Sequence, residues 1–217
     1  MAMVAFFIRV LLLAVERKSL VLSSLREHVV ISLLACLFIA LCGVPLGILI
    51  ARFRRVAFWV IATTGVLYTI PALALFGFMI PLFGIGLRPT LFALFIYGLL
   101  PLVRNTYVGI TTVDPAIVEA AKGMGSTDWQ LLWRVQIPLA LPVIVAGLRT
   151  VVVMTISMAT IAAFIGAGGL GVLIFRGITS YYPELIVLGS FLVAALALGA
   201  DGVFAVLERR LMRRLRL

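Results

Sequence analysis

The sequence predicts an all-α integral membrane protein with about five transmembrane helices. Of its 217 residues, 64% are hydrophobic and only 12% are charged, whereas a soluble domain is roughly half apolar and a quarter charged. Uncharged stretches run over residues 29–51, 56–87 and 185–200. The first two exceed the roughly 20 residues that span a bilayer, so a lipid bilayer is the expected environment of the chain.

The distribution of positive charge favours a membrane protein over a nucleic-acid-binding protein. A net charge of +10 is compatible with phosphate binding. The arginines, however, directly follow apolar runs, at residues 52–55 and 209–216, as is typical of the cytoplasmic ends of membrane helices. No nucleic-acid partner is therefore expected.

Apolar segments predict five spans, at about residues 29–51, 56–83, 90–109, 142–165 and 185–207. With the N-terminus outside, most Lys and Arg residues lie on the cytoplasmic side, and the C-terminus is cytoplasmic. The predicted organisation is an interfacial segment over residues 1–27, a transmembrane domain over residues 28–210 and a basic cytoplasmic tail over residues 211–217. An extra transmembrane helix near the N-terminus is the alternative for the first segment.

A proline interrupts the second span. Because proline has no backbone N–H, Pro71 predicts a break in the helix near Tyr68. Broken helices are tolerated at membrane depth where the freed backbone groups face protein or a watery cavity. The break therefore indicates a solute path, with ordinary helix packing as the alternative. The residues predicted to line this path are Tyr68, Thr69 and Pro71 of the second span and Met154, Ser157 and Thr160 of the fourth.

Few ionisable groups approach the apolar zone. Arg149 in the fourth span and Asp201 in the fifth each need a partner or a wet surface, and they could pair with each other. The only histidine, His28, lies at the start of the first span, where an interfacial position is more typical than metal binding. No spacing of potential ligands indicates a metal site.

The only long polar insert is the polar loop, residues 111–141, between spans three and four. Asp114, followed by a proline, predicts the N-cap of a short helix, and Gly125 lies just beyond its end. Ser126 is the predicted cap of a second helix, which is expected to end at Pro138. A rigid helix pair on the cytoplasmic face could transmit a push from a partner, whereas a solvated hairpin without a partner is the alternative.

Nucleotide-binding and catalytic motifs do not fit the sequence. Residues 166–171 read G-x-G-x-x-G, but no strand is predicted before them, so a tight glycine turn fits better. The chain has no G-x-x-x-x-G-K-[ST] segment to hold ATP phosphates. It also has no set of nucleophile, base and acid, and we expect a non-enzymatic protein.

The polar loop resembles the EAA motif of ABC importer permeases. It contains Glu119, Ala120 and Ala121, then Gly125 four residues after the second alanine, and it ends in Val135-Gln136-Ile137-Pro138. Only Val135 and Ile137 depart from the motif, and both changes are conservative. Segments 68–75, 100–107 and 165–171 look like the permeases for glycine betaine, carnitine and choline, and the resemblance covers about residues 28–210.

The resemblance implies the permease subunit of an ATP-driven importer in the bacterial cell (inner) membrane. The implied partners are a second permease copy or paralogue, a cytoplasmic ATPase subunit dimer and an extracellular or periplasmic substrate-binding protein. The chain itself would bind no cofactor, because the partner ATPase uses ATP-Mg. The residues implied to couple the permease to the ATPase are Asp114, Glu119, Ala120, Ala121, Gly125 and Pro138.

Three other functions remain open from the sequence. A permease for methionine or another small amino-acid-like solute is the alternative substrate class. An intramembrane enzyme would need catalytic groups at depth, where only Arg149 and Asp201 approach such a role. A channel or secondary carrier without an ATPase would not need the helix pair of the polar loop.

Overall fold

The computed structural model describes residues 2–215, and the side chains of residues 3–213. Within residues 2–215 the chain forms helices and no strands, which confirms the expected all-α fold. The helices are α1 (Ala2–Glu16), α2 (Lys18–Arg52), α3 (Arg54–Tyr68), α4 (Ala72–Phe83), α5 (Leu87–Thr111), α6 (Pro115–Gly123), α7 (Asp128–Leu131), α8 (Ile137–Met158), α9 (Gly171–Thr179) and α10 (Pro183–Leu215). A π-helical turn, Leu132–Gln136, joins α7 to α8, and a 3-10 turn, Ile161–Ile165, follows α8.

Four helical segments in this part of the chain are long and apolar enough to cross a membrane. They are α2, α5, the segment from Asp128 to Met158, and α10. Helices α3 and α4 supply a fifth candidate if they are counted together as one broken span. The number of spans therefore agrees with the sequence-based expectation of about five.

The predicted break in the second span is present. Helix α3 ends at Tyr68 and α4 begins at Ala72, after Pro71. Pro71 has an extended backbone, with φ −56° and ψ 136°, and its carbonyl accepts a hydrogen bond from the backbone N–H of Leu75 at 2.9 Å. Proline thus begins the second half of the span at a position where its missing N–H breaks no helical hydrogen bond.

The described residues divide into two compact units. The first comprises residues 2–37, 70–95 and 152–200, and the second comprises residues 38–69, 96–151 and 201–215. Helices α2, α5, α8 and α10 each contain residues of both units.

The N-terminal helix α1 belongs to the core of the first unit. Val10 and Leu13 of α1 are buried against Leu173 of α9 and Leu188 of α10. Arg9 forms an ion pair with Glu184, with Nε and Oε1 2.9 Å apart. The apolar N-terminal residues are therefore packed against the rest of this unit.

The glycine-rich turn of the first unit packs on α2. Gly166, Gly168 and Gly169 have positive φ angles of 74°, 82° and 83°, which only glycine adopts readily, so the predicted glycine turn is confirmed. Glu27 accepts a hydrogen bond from the backbone N–H of Gly169 at 2.9 Å. The side chain of His28 is wholly buried, and its ring contacts the backbone of the turn at Leu170.

Close contacts between α2 and α5 hold the second unit together. A Cβ atom added to Gly47 of α2 would lie 2.5 Å from Cβ of Thr106 on α5. A Cβ on Gly98 of α5 would likewise collide with the side chain of Ile39 on α2. Such contacts between small residues are typical of helices that pack inside a membrane, and they require glycine at both positions.

Candidate functional site

The first helix of the polar loop begins as the sequence predicts. Asp114 is the N-cap of α6, and its Oδ1 accepts a hydrogen bond from the backbone N–H of Ala116 at 2.8 Å. Glu119 and Ala120 are exposed, whereas Ala121 is buried. Ala121 is the buried residue of α6, and most of the other side chains of this helix are exposed.

Large apolar side chains lie on the outer surface of the polar loop. Their exposed fractions are 82% for Met124, 66% for Trp129 and 47% for Trp133. The two indole rings are neighbours, with centroids 5.4 Å apart. A cluster of exposed apolar residues indicates a contact surface, which a loop that is merely solvated would not need.

A glycine with a left-handed backbone separates the two helices of the loop. Gly125 has a φ of +83°, and its N–H donates a hydrogen bond to the carbonyl of Lys122 at 2.9 Å. Residues with a side chain rarely adopt this conformation. Gly125 is therefore required by the backbone of the turn.

The predicted cap of the second loop helix was wrong by one residue. Thr127, not Ser126, is the N-cap of α7. The Thr127 hydroxyl accepts a hydrogen bond from the N–H of Gln130 at 3.3 Å, and Oε1 of Gln130 accepts one from the N–H of Thr127 at 2.9 Å. The reciprocal hydrogen bonds between Thr127 and Gln130 satisfy two backbone N–H groups, whereas a serine cap alone would satisfy one. The spacing Thr-x-x-Gln was visible in the sequence and was missed.

The second loop helix does not end at Pro138, contrary to the prediction. After the π-helical turn, α8 begins at Ile137 and continues to Met158, so the predicted start of the fourth span at residue 142 was also too late. A wider turn accommodates Pro138, which lies in the first turn of α8, where a missing N–H is tolerated. The polar loop therefore continues directly into a membrane-spanning helix.

An ion pair connects the polar loop to the end of the first predicted span. Nη2 of Arg52 lies 2.8 Å from Oδ2 of Asp128. Both side chains are about half exposed, 47% and 59%, so the pair contributes little to stability. It fixes the start of α7 beside the C-terminal end of α2, a contact that the sequence did not predict.

The predicted path residues fall in both units. Tyr68 and Thr69 belong to the second unit, whereas the other four belong to the first. Ser157 is exposed, and its hydroxyl donates to the carbonyl of Val153 at 3.0 Å. The Thr160 hydroxyl donates to the carbonyl of Ser157 at 2.7 Å. Both hydroxyls therefore bond to backbone carbonyl groups near the end of α8. Met154, one turn earlier on the same helix, is partly buried.

An open groove lies beside Tyr68 in the second unit, and we call it the Tyr68 groove. Its volume is about 400 Å³. The ring of Tyr68 is 39% exposed and lies edge to face with Tyr97, with centroids 5.5 Å apart. The other lining residues are Leu100, Pro101, Arg104, Asn105 and Val108 of α5. Sequence reasoning did not assign Arg104 or Asn105 to a site.

The charged residues near the apolar zone form the pair that the sequence suggested. Arg149 donates to both carboxylate oxygens of Asp201, at 2.5 and 2.7 Å. A second carboxylate, that of Glu208, accepts from Nη1 of Arg149 at 3.3 Å. The sequence did not identify Glu208, although it lies seven residues after Asp201 and so on the same face of α10.

Comparison with known proteins identifies related membrane proteins. The family described as "Binding-protein-dependent transport system inner membrane component" matches residues 43–213. The choline transport system permease protein OpuBD of Bacillus subtilis (strain 168) is 46% identical over 197 residues, covering 90% of this chain and 87% of the relative. The glycine betaine/carnitine/choline transport system permease protein OpuCD of the same organism is 46% identical over 192 residues, covering 88% and 84%.

A relative from another organism and two solved structures extend this similarity. The osmoprotectant import permease protein OsmW of Salmonella typhimurium is 45% identical over 180 residues, covering 81% of this chain and 84% of the relative. The MetNI methionine ABC transporter superposes with a TM-score of 0.81 at 20% identity, covering 90% of this chain and 98% of that one. An amino acid ABC transporter crystallised with histidines gives 0.76 at 23% identity, covering 92% and 97%. The structural likeness establishes the fold.

Proposed function

The chain belongs to the family of binding-protein-dependent transport system inner membrane components, and we propose that it is the permease subunit of an ATP-driven importer of quaternary ammonium osmoprotectants such as glycine betaine, carnitine or choline. The observation that carries this proposal is the 45–46% identity to three permeases whose names state these solutes or osmoprotectants. The matched segments cover more than four fifths of this chain in each case.

A permease for methionine or another small amino acid is the second candidate. The solved structures with the same fold are a methionine ABC transporter and an amino acid ABC transporter crystallised with histidines. Their sequences are only 20% and 23% identical to this chain, which is too distant to carry over a substrate. The much higher identity of the osmoprotectant permeases favours the first candidate.

The polar loop is the proposed contact with a cytoplasmic ATPase subunit dimer, which would bind and hydrolyse ATP-Mg. The exposed apolar residues of the loop support this assignment, because Glu119, Ala120 and Gly125 of the same loop are also exposed. Asp114, Ala121 and Pro138 would act by holding the loop in shape. This chain would contribute no cofactor site of its own.

A continuous helix offers a physical route from ATPase to solute. The segment from Asp128 to Met158 has 31 residues, a length of about 45 Å, with the polar loop at one end and Ser157 at the other. A displacement of the loop would be transmitted along this helix. The proposed solute path contains Tyr68, Thr69, Pro71, Met154, Ser157 and Thr160.

The proposed orientation places the polar loop and the arginines of residues 52–55 in the cytoplasm. A second permease copy or a paralogue would complete the path, and a substrate-binding protein would deliver the solute from outside. We retain residues 1–27 as an interfacial segment, residues 28–210 as the permease domain and residues 211–217 as a basic tail. Arg216 of that tail lies outside the described residues.

Uptake by a reconstituted complex tests the proposed function. The permease, its ATPase and its binding protein are placed in proteoliposomes, and the uptake of labelled glycine betaine, carnitine, choline and methionine is measured with and without ATP. We expect ATP-dependent uptake of at least one quaternary ammonium compound. Uptake of methionine alone would favour the second candidate, and uptake that needs no ATPase would contradict both.

A further inference from the structure

An arginine inside a membrane-spanning helix lines the Tyr68 groove. Arg104 lies on α5 seven residues before the helix ends at Thr111, a distance of about 10 Å along the axis. Its side chain is exposed, and it forms no ion pair with any side chain among residues 3–213. A charge at this depth needs a partner or a watery surface, and the groove supplies the surface.

The face of α5 that bears Arg104 also bears Tyr97, whose ring packs against that of Tyr68. Tyr97, Pro101, Arg104 and Val108 recur at intervals of three or four residues, and so lie on one side of the helix. Asn105 donates its side-chain N–H to the carbonyl of Pro101 at 2.8 Å. The amide is thus held against the helix, and among residues 3–213 Arg104 is the only charged residue that lines the groove.

The aromatic part of the groove has a fixed orientation. Tyr68 and Tyr97 lie edge to face, with an interplanar angle of 67°, an arrangement that is favourable for aromatic pairs. Tyr97 is buried and Tyr68 remains partly exposed. An exposed aromatic face can attract a quaternary ammonium group whose centre lies within about 6 Å of the ring.

We propose that Arg104 is a specificity-determining residue that binds the carboxylate of a zwitterionic solute while Tyr68 contacts its trimethylammonium group. The inference rests on the proposed function and assigns a substrate class to one site on the solute path. Glycine betaine and carnitine carry both groups, whereas choline carries the trimethylammonium group and no carboxylate. The groove therefore discriminates between osmoprotectants by the presence of a negative charge.

The open geometry suits transport. Arginine binds a carboxylate through paired hydrogen bonds, but an exposed guanidinium remains hydrated and the interaction is weaker than in a buried site. A volume of about 400 Å³ is at the lower end of the range for small-molecule sites. A transport site must bind weakly enough to release its solute, and an open groove with two contacts meets that condition.

Replacement of Arg104 by an uncharged residue tests the proposal. Wild-type, Arg104→Gln and Arg104→Lys complexes are compared in proteoliposomes with the same ATPase and the same binding protein. Initial uptake of glycine betaine, carnitine and choline is measured in turn, at solute concentrations well below saturation, where the rate reports the affinity of the path for the solute. We expect Arg104→Gln to slow the uptake of the two carboxylates by about tenfold or more, the effect of one lost charged hydrogen bond. Choline uptake should change less than about twofold, and Arg104→Lys should restore most of the loss.

Two further variants separate binding from a structural effect. Arg88→Gln removes an exposed arginine at the start of the same helix and should leave all three rates unchanged. Tyr68→Leu should slow all three solutes, because each carries the trimethylammonium group, and Tyr68→Phe should retain most of the uptake because the aromatic face is kept.

The outcomes of this experiment are distinguishable. Equal loss of all three solutes in Arg104→Gln would assign Arg104 a structural role, and no loss would mean that it is only solvated or extends to the lipid surface. If the wild-type complex takes up choline alone, the assignment of Arg104 to a carboxylate is overturned, but the proposed function stands. Failure of the wild-type complex to take up any quaternary ammonium compound would instead contradict the proposed function.

Discussion

The ring of His28 accepts a hydrogen bond at Nδ1 from the backbone N–H of Leu170, at 3.2 Å. Because Nδ1 is the acceptor, Nε2 carries the hydrogen and donates to the carbonyl of Ile156 at 3.0 Å. One buried side chain of α2 thus satisfies two backbone groups, one near the end of α8 and one at the glycine turn.

His28→Leu should lower the unfolding temperature of the protein. Leucine leaves a buried donor and a buried acceptor without partners, and each such group costs about 1–3 kcal/mol. His28→Gln should lose less, because an amide carries both a donor and an acceptor. Thermal unfolding of the purified protein in detergent measures the effect. Ser23→Ala, at an exposed position of the same helix, is the control, and an equal loss there would contradict the prediction.

Asp201 should contribute more to stability than Glu208. Asp201 accepts two hydrogen bonds from Arg149, at 2.5 and 2.7 Å, whereas Glu208 accepts one, at 3.3 Å. Each member is about one third exposed or less, so water weakens the pair relative to a fully buried one. We expect a favourable coupling energy between Arg149 and Asp201 in a double-mutant cycle, because the two side chains share two hydrogen bonds.

The cycle uses Arg149→Gln, Asp201→Asn and the double variant, with unfolding measured in detergent. The same cycle with Glu208→Gln in place of Asp201→Asn should give a smaller coupling energy. A larger coupling energy for Glu208 than for Asp201 would contradict the prediction.

Features that depend on local chemistry could be predicted from the sequence. The break before Pro71 follows from the missing N–H of proline, and the cap at Asp114 follows from its place before a proline. The pairing of Arg149 with Asp201 followed from the cost of leaving either charge alone in an apolar zone. These inferences needed no knowledge of the tertiary structure.

Features that depend on distant partners could not be predicted in this way. The burial of His28 could not be predicted, because its hydrogen-bond partners lie 128 and 142 residues away in the sequence. No residue near His28 in the sequence indicates these partners. Pro138 looked like a helix end because proline usually interrupts a helix, whereas here a π-helical turn precedes it and the helix continues. The groove residue Arg104 was unassigned because its relation to Tyr68 arises only when α3 and α5 are in contact.

Gly125→Ala should uncouple ATP hydrolysis from uptake. The φ of +83° at Gly125 costs roughly 1–2 kcal/mol for a residue with a side chain, so the turn between α6 and α7 would change shape. Bulkier Gly125→Trp should have a stronger effect. Gly123→Ala is a matched control, because Gly123 is helical and no heavy atom lies within 4 Å of an added Cβ.

The measurement is the number of solutes taken up per ATP hydrolysed, with membrane insertion checked for each variant. We expect this ratio to fall in both Gly125 variants and to remain at the wild-type value in Gly123→Ala. Wild-type coupling in Gly125→Trp would count strongly against the proposed contact between the polar loop and the ATPase.

Residues 54 and 88 should be accessible from opposite sides of the membrane. Only α3 and α4 lie between them, and this pair counts as one crossing if it is a broken span rather than a re-entrant loop. Arg54→Cys and Arg88→Cys are labelled in a background without Cys36 and Cys42, the two free cysteines. Arg209→Cys should behave like Arg54→Cys. Labelling of residues 54 and 88 from the same side would establish a re-entrant loop instead.

Ser157→Leu should slow solute passage without preventing assembly. Ser157 is exposed near the end of α8, and its hydroxyl already donates to Val153, so Ser157→Ala should be nearly neutral. If the residue lines the path, the added bulk of leucine obstructs it, and a barrier raised by about 1.4 kcal/mol already slows uptake about tenfold. Thr179→Leu is the matched control, because Thr179 is exposed and makes the same type of hydrogen bond on α9. Unchanged uptake in correctly inserted Ser157→Leu protein would place the path elsewhere, because a residue at a constriction cannot gain three carbon atoms without an effect on the rate.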